Sequence, residues 1–335
     1  MKKINVAVIG GGTGTTAVLS DLKNYNDLDI SVVVGMADDG GSNAVIRDEF
    51  GLLPLSDLRK SIIALSEVGE GSLRDLFVYR FDKGNGLSGH TLGNLMMMAL
   101  TEITGTEVGA IEKLRKLFLV KGKVFPVTLG STHLVAEYEN GAKVKGEHLI
   151  DEPKLPHELG RITKLSLYPE VASNPAAIKA LEEADYIIAG PGDLYTTTLA
   201  SLVVSGISEA IAENKGKFIF ISNLMTKCGQ TTGMRASDLV GEIAKYAGRK
   251  PDLVIVHEGK LPEDILKKYA EDGESPIEDD LGGGGKVIRA NLVNAKEIIR
   301  EKGDVLKRSL IRHDSVKLAK IIYKIFKDEK CGYKA

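Results

Sequence analysis

The stretch running from Val6 through Gly10-Gly11-Gly12-Thr13-Gly14 to Leu22 constrains this chain more than any other. A β-branched, apolar run, Val6–Ile9, breaks into glycine and resumes with the apolar spacing of a helix. That is the strand–loop–helix unit of a parallel sheet. Glycines let the main chain approach a ligand, and the first turn of the helix leaves N–H groups unpaired, so the loop suits an anion, usually a phosphate. Gly12, Gly14 and Ala17 also match the dinucleotide fingerprint G-x-G-x-x-G/A. Alone that match is weak, because a tight turn with no ligand has the same glycines.

The rest of the chain repeats the unit. Ile30–Met36, Tyr186–Ala189, Phe218–Ser222 and Leu253–His257 read as buried strands, each with Gly, Asn, Asp or Glu close behind, and helical patterns alternate with them. This predicts an α/β, Rossmann-like, doubly wound and mostly parallel sheet. Residues 50–160 differ in character. Leu58–Leu65, Leu92–Ile103 and Glu107–Leu119 read as helices, and alternation around Asn140-Gly141 predicts a β-hairpin closed by a type I′ turn. The expectation is one domain over residues 1–335, with a helical and hairpin insertion at about 50–160. Ser315–Phe326 reads as a last amphipathic helix.

Composition narrows the function. Lys and Arg number 44 against 46 Asp and Glu, which argues against nucleic acid or an anionic membrane as partner. The cysteines, Cys228 and Cys331, have no CxxC or zinc-ligand spacing and read as reduced thiols of a cytoplasmic protein. The first apolar run is too short for a signal peptide, and no apolar stretch is long enough for a membrane span. Gly282–Gly285 followed by Lys286 is not a P-loop, since Asp280 and Val287 stand where Gly and Ser or Thr are required.

In an open α/β sheet, ligands sit beyond the carboxyl ends of the strands, so four loops carry the candidate residues. The first is Gly11, Gly12, Thr13 and Gly14; Gly14→Val is expected to block a phosphate with little loss of fold. The second holds Asp38 and Asp39. One of them could bond a ribose hydroxyl, the pair could hold magnesium beside a phosphate, or Asp39 or Ser42 could simply cap a helix. In the third, Gly190, Gly192 and Thr196 suit an anion, whereas Asp193 fits a cap, a magnesium ligand or an acceptor for a sugar hydroxyl. In the fourth, Asn223 and Thr226 could read a base or sugar, and Cys228 reads as a passive packed residue. His90 is either an acid/base or a core-bonded histidine, Met96–Met98 are core filler, and Arg312 either clamps a phosphate or pairs with a surface acid.

The segments GGGTG, ADDGGS, SDLRKSIIAL, LFVYRF, GHTLGNL, KGKVFPVT, ADYIIAGPGDLYTT, NLMTKCGQTTG and IRHDSVKLA, in that order, closely resemble the YvcK/CofD-like family. One branch of it is 2-phospho-L-lactate transferase, which moves a phospholactyl group from a nucleotide-activated donor to a deazaflavin with magnesium. The other is the gluconeogenesis factor, which binds UDP-sugars such as UDP-N-acetylglucosamine and is linked to gluconeogenic growth, cell shape and wall synthesis. LFVYRF, KGKVFPVT and IRHDS resemble the YvcK branch. The resemblance implies that Arg312, Tyr269, Thr13 and Asn223 belong to the ligand site, that His90 and Asn94 lie in a family motif, and that Ser315 stands at a phosphorylatable position; Tyr195, in the third loop, is a further ligand-site candidate. It is compatible with a homo-oligomer and with a regulatory protein partner. The chain departs from the family pattern at Thr15-Thr16, Ser56 and Asn43–Ile46, near a second substrate. The expected function is a nucleotide-sugar-binding regulator. Alternatives are a CofD-type transferase and, on the glycine fingerprint alone, an NAD-dependent oxidoreductase.

Overall fold

The computed structural model describes residues 2–69, 71–84, 86–283, 286–293 and 309–328. Cys331, Gly284 and Gly285 lie outside the described residues. Among the described residues ten strands form two sheets: β1 (Ile4–Gly10), β2 (Leu28–Val34), β3 (Lys123–Pro126), β4 (His133–Tyr138), β5 (Lys143–Lys145), β6 (Ile162–Tyr168), β7 (Tyr186–Ala189), β8 (Lys217–Ile221), β9 (Leu253–His257) and β10 (Val287–Ala290). The large sheet has the order β10-β9-β8-β7-β1-β2-β3 and every pairing in it is parallel. Helices cover it, and the small sheet, β5-β4-β6, is antiparallel. The expected α/β, doubly wound, mostly parallel fold is therefore what forms.

Strand order decides where a ligand can enter. From β1 the chain moves outward through β2 and β3, then returns to β7 on the other flank of β1 and moves outward through β8, β9 and β10. The order reverses between β1 and β7, so the loops leaving them diverge to opposite faces and open a crevice at their carboxyl ends. Val6, Val8, Ile9, Ile187 and Ile188 are buried, each contributing about 1.5–3 kcal/mol by leaving water. Both faces of these central strands are covered, which is why their sequence is continuously apolar rather than alternating.

The last helix, Ser315–Asp328, lies against the first, Gly12–Leu22. Tyr323 stacks on Tyr25 with ring centroids 3.8 Å apart, and its hydroxyl and Lys327 Nζ both reach Asp27 Oδ2.

Two expectations change and one strand is added. β3, within residues 50–160, joins the large sheet at its edge, pairing Ser31 with Lys123 through Val34 with Pro126. β10 extends the other edge; its four residues are too few to show a period. The hairpin turn is not type I′. Tyr138 N donates to Ala142 O and Gly141 N to Tyr138 O, so the loop has three residues. Gly141 takes the left-handed φ of 85°, whereas Leu119 is the one non-glycine with positive φ among the described residues, so Asn140 keeps a negative φ. This is the type I turn with a left-handed third residue that three-residue hairpins use. Asn140 Oδ1 accepts from Ala142 N, which favours that arrangement.

Candidate functional site

The first helix begins at the mouth of the crevice. Its N-cap, Gly11, has extended backbone and no side chain caps the helix. Instead Asp57, at the start of the helix Ser56–Leu65, accepts a hydrogen bond from Gly12 N at 2.8 Å, and Lys60 Nζ holds its other oxygen at 2.8 Å. Thr13 and Gly14 line the cleft, and their amides have no such partner among the described residues. Two of the glycines have different duties. A Cβ on Gly14 would lie 2.0 Å from Pro191 O, so Gly14 is there to let two loops touch. Gly12 has φ +63° and open space around its Cβ position. The expectation that Gly14→Val spares the fold is thus wrong, because the side chain would part the β1 and β7 loops.

The four loops meet. A cleft of about 760 Å³ is lined by Gly11–Gly14, Asp38, Gly192, Asp193, Thr196, Asn223, Thr226, Tyr269 and Arg312, among others. Asn223 Nδ2 donates to Gly192 O at 2.7 Å and so ties the third loop to the fourth. Thr226 pins the fourth loop to the turn at Ser275, with Thr226 N donating to Ser275 O and Ser275 N to Thr226 Oγ1. Tyr269, nearly buried, accepts from Leu310 N and Ile311 N, which positions the segment bearing Arg312. A second cavity of about 770 Å³ opens around Lys2, Lys3, Asp185 and Lys217, at the amino ends of the strands and away from all four loops.

Asp38 and Asp39 part company. Asp38 lines the cleft and accepts from Gly40 N at 2.9 Å; burial, with Asp57 nearby, raises its carboxyl to about 6. Asp39 turns to the insertion, where it accepts from His148 N at 2.9 Å and faces His133 Nδ1 at 3.4 Å. It caps the short helix Glu147–Asp151 rather than its own helix, Gly41–Phe50. The two carboxylates that share the cleft lining and influence each other are therefore Asp38 and Asp57, not Asp38 and Asp39. No group of three or more His, Cys, Asp or Glu among the described residues has the arrangement of a metal centre. A magnesium ion, which shares substrate phosphates and needs few carboxylates, fits Asp38 and Asp57 better than the adjacent pair.

Tyr195, His90, Asn94 and Ser315 lie off the cleft lining. Tyr195 is fully buried, with its hydroxyl toward Ile162 O at 3.4 Å, so it packs the core behind the π-helical turn Leu194–Leu199. His90 and Asn94 belong to a buried polar network. Ser42 Oγ and His90 Nδ1 are 2.8 Å apart, and Asn94 bonds Arg59, Ser42 and Ser56. That network holds the start of the helix carrying Asp57. Ser42 is one of its members rather than a helix cap. Ser315 opens the last helix, half-buried, beside Asp314, whose Oδ1 accepts from Lys317 N. Cys228 is half-buried on the cleft wall.

Sequence reasoning passed over the groups that charge the cleft. Lys227 Nζ bonds Asp151 and, at 2.8 Å, Asp193; Asp151 also accepts from Thr196 Oγ1 and Gln230 Nε2. Burial would lower Lys227, but Asp193 and Asp151 outweigh it and raise the ammonium above its ordinary range. Burial would raise Asp151, yet Lys227 and the hydrogen bonds hold it below the usual carboxylate range. Glu147, by contrast, is raised well above that range by burial and by Asp38, Asp151 and Asp39. Lys227 had a signal, a cation in a glycine-rich strand-end loop. Glu147 and Asp151 had none, since they reach the cleft from the insertion. The walls carry nine carboxyl side chains against Lys60, Lys227 and Arg312 as permanent cations. An anion entering here depends on main-chain amides, those cations and any metal it brings.

Comparison with known proteins agrees with this architecture. The family model for 2-phospho-L-lactate transferase CofD matches residues 6–296. The gluconeogenesis factor of Bacillus subtilis is 37% identical over 329 residues, covering 98% of this chain and 99% of the relative. That of Halalkalibacterium halodurans is 39% identical over 279 residues, 83% of this chain and 84% of the relative. A solved structure of a UPF0052-family protein from Bacillus halodurans superposes with a TM-score of 0.85 at 36% identity, over 96% of this chain and 99% of that one.

Proposed function

From the premise that this chain belongs to the CofD family, as a homologue of the gluconeogenesis factors, we propose that it is a regulatory protein whose cleft binds a UDP-sugar. The observation that carries this reading is that four strand-end loops and the Arg312 segment line one cleft at the point where strand order reverses. The amides of Thr13 and Gly14 and the ammonium of Lys60 take the diphosphate, at the positive end of the first helix. Arg312, held in place through Tyr269, adds a charge-assisted hydrogen bond. Asn223 and Gly192, already bonded to each other, present carbonyl and amide groups to the nucleoside. Where magnesium accompanies the diphosphate, Asp38 and Asp57 hold it, and it supplies counter-charge in an acidic cleft.

Regulation rather than turnover is proposed because Lys227, a cation of the cleft, is already neutralised by Asp151 and Asp193. The regulatory output, through a protein partner or a homo-oligomer, belongs to the same proposal. No helix among the described residues is long and apolar enough to cross a membrane. Calorimetric titration with UDP-N-acetylglucosamine, GDP, NAD and a deazaflavin, with and without magnesium, tests the reading. Saturable binding of the UDP-sugar without consumption is expected. Binding of NAD but of no UDP-sugar refutes it, and product formed from a deazaflavin and a nucleotide-activated phospholactate assigns the chain to transferase chemistry instead.

A further inference from the structure

A helix on the surface of a folded chain turns its apolar stripe inward and its polar side outward. The helix Leu92–Thr104 does nearly the reverse. The residues it buries are Gly93, Asn94, Met97 and Thr101. At about 100° per residue the opposite face carries Leu92, Leu95, Met96, Ala99 and Ile103, beside Glu102, the one charged residue of the helix. Leu92, Leu95 and Met96 are half-buried, Ala99 is exposed, and Ile103 is 78% exposed. Steps of three and four residues make this the seam of a helix that packs on another helix. Further exposed apolar side chains stand at its ends. Leu76, Tyr79 and Leu87 lie at the amino end, where Leu92 N donates to Tyr79 O, and Val108 follows the turn at the carboxyl end. Soluble monomers seldom leave so extended an apolar surface uncovered. The charges along it are ordered. Glu102 is near the carboxyl end. Arg80 is at the amino end, its backbone bridged to the N-cap Thr91. Arg80 gives one N–H to Gly89 O at 2.7 Å and leaves Nε without a partner among the described residues.

We propose that this face is the contact between two copies of the chain, with a two-fold axis near Ala99 that sets the two helices antiparallel. A two-fold contact must be complementary to itself, and this one is in both shape and charge. Ala99, small and central, lets the helices approach closely. Ile103 of each copy then lies against Leu95 and Met96 of the other. Glu102 of each points toward the amino end of the other helix, where Arg80 and the positive end of the helix dipole await it, and symmetry makes that match twice. Any apolar helix could cover the stripe. A second copy also supplies charges of opposite sign at its two ends, which is why it is the occupant. The inference selects the homo-oligomer among the regulatory outputs named above and does not depend on which ligand the cleft takes.

The test is sedimentation velocity of the full chain, free of ligand, between about 1 and about 100 μM. The wild type should sediment as a dimer within that range. Ile103→Asp changes an exposed side chain and should weaken self-association by about tenfold or more, the scale of one apolar side chain kept in water. Ala99→Cys, under mild oxidation, should give a disulfide-linked pair well above the wild-type background, because the axis brings the two Cβ positions together. Lys164→Cys, exposed on the small sheet, should not. Urea midpoints close to that of the wild type report that each variant is folded. A wild type that stays monomeric, a dimer that Ile103→Asp leaves unchanged, or no cross-linking through Ala99→Cys each overturns the proposal. None of these results touches the nucleotide reading, which the calorimetric titration decides separately.

Discussion

Lys227→Met isolates the ion network that joins three separate parts of the chain. Lys227 leaves the loop after β8 and pairs with Asp151 of the insertion and Asp193 of the loop after β7. Methionine keeps the apolar stem and removes the charge. Asp193, with 39% of its side chain exposed, is screened by water and contributes little. Asp151, 21% exposed, is left with Thr196 and Gln230 as neutral donors and no cation. Breaking a buried ion pair costs about 3–5 kcal/mol, and the surviving hydrogen bonds return part of that, so a loss of about 2–3 kcal/mol is expected near neutral pH. The pH dependence is more diagnostic. In the wild type Asp151 lies below its unfolded value, so its stabilisation is present above that value, near 4, and is lost as pH falls through the lower folded one. In the variant burial is opposed only by the Thr196 and Gln230 hydrogen bonds, so Asp151 rises relative to the wild type and stability is regained as pH falls through the higher value. The gap between the two proteins should therefore narrow between pH of about 7.5 and about 4.5. Urea unfolding followed by circular dichroism measures it. A loss below about 0.5 kcal/mol, or an equal loss at both pH values, refutes the assignment of this network.

Gly14→Ala should destabilise by about 2–3 kcal/mol, since its Cβ would meet Pro191 O at 2.0 Å, whereas Gly12→Ala should cost about 1 kcal/mol for its left-handed backbone and keep the fold; comparable urea midpoints for the two would contradict this. Asp38 is raised from its ordinary value to about 6, so the folded state gives up stability as pH rises from about 4 to about 6; Asp38→Asn should be more stable than wild type near neutral pH by roughly 1–3 kcal/mol, with the difference fading in acid. A variant less stable at neutral pH would show that the Asp38 carboxylate supports the fold. Arg312→Ala should weaken UDP-sugar affinity by about 1.5–3 kcal/mol in calorimetry, and an unchanged titration would remove Arg312 from the ligand site.

Much of the sheet was legible because buried parallel strands write themselves as short apolar runs. Tyr186–Ala189 and Leu253–His257 have the bounds read from sequence, and the others shift by one or two residues. The edge strands β3 and β10 were not legible as strands, being four residues long and only partly buried. The hairpin was legible from Asn140-Gly141, but its turn type was not. That depended on loop length, which the pairing of Glu137 with Lys143 sets. Among site residues, Gly11, Gly12, Gly14, Gly192, Asn223, Asp193 and Arg312 line one cleft, and Gly190 is not part of its lining. Tyr195 does not, because the strand-end turn around it is π-helical and carries it into the core.

By itself the sequence determined the class of fold, the strand-end loops that flank the crevice, and the family. Each of these rests on local order: apolar runs, glycine where backbone must turn, and motifs in sequence. Tertiary structure alone decided which carboxylate meets which. Asp38 and Asp39 are neighbours in the chain, yet one faces the cleft and the other caps a helix of the insertion. Lys227, Asp151 and Asp193 are far apart in sequence and share one charge network. Charges interact through space and through the dielectric around them, and neither separation nor burial is encoded in the order of residues.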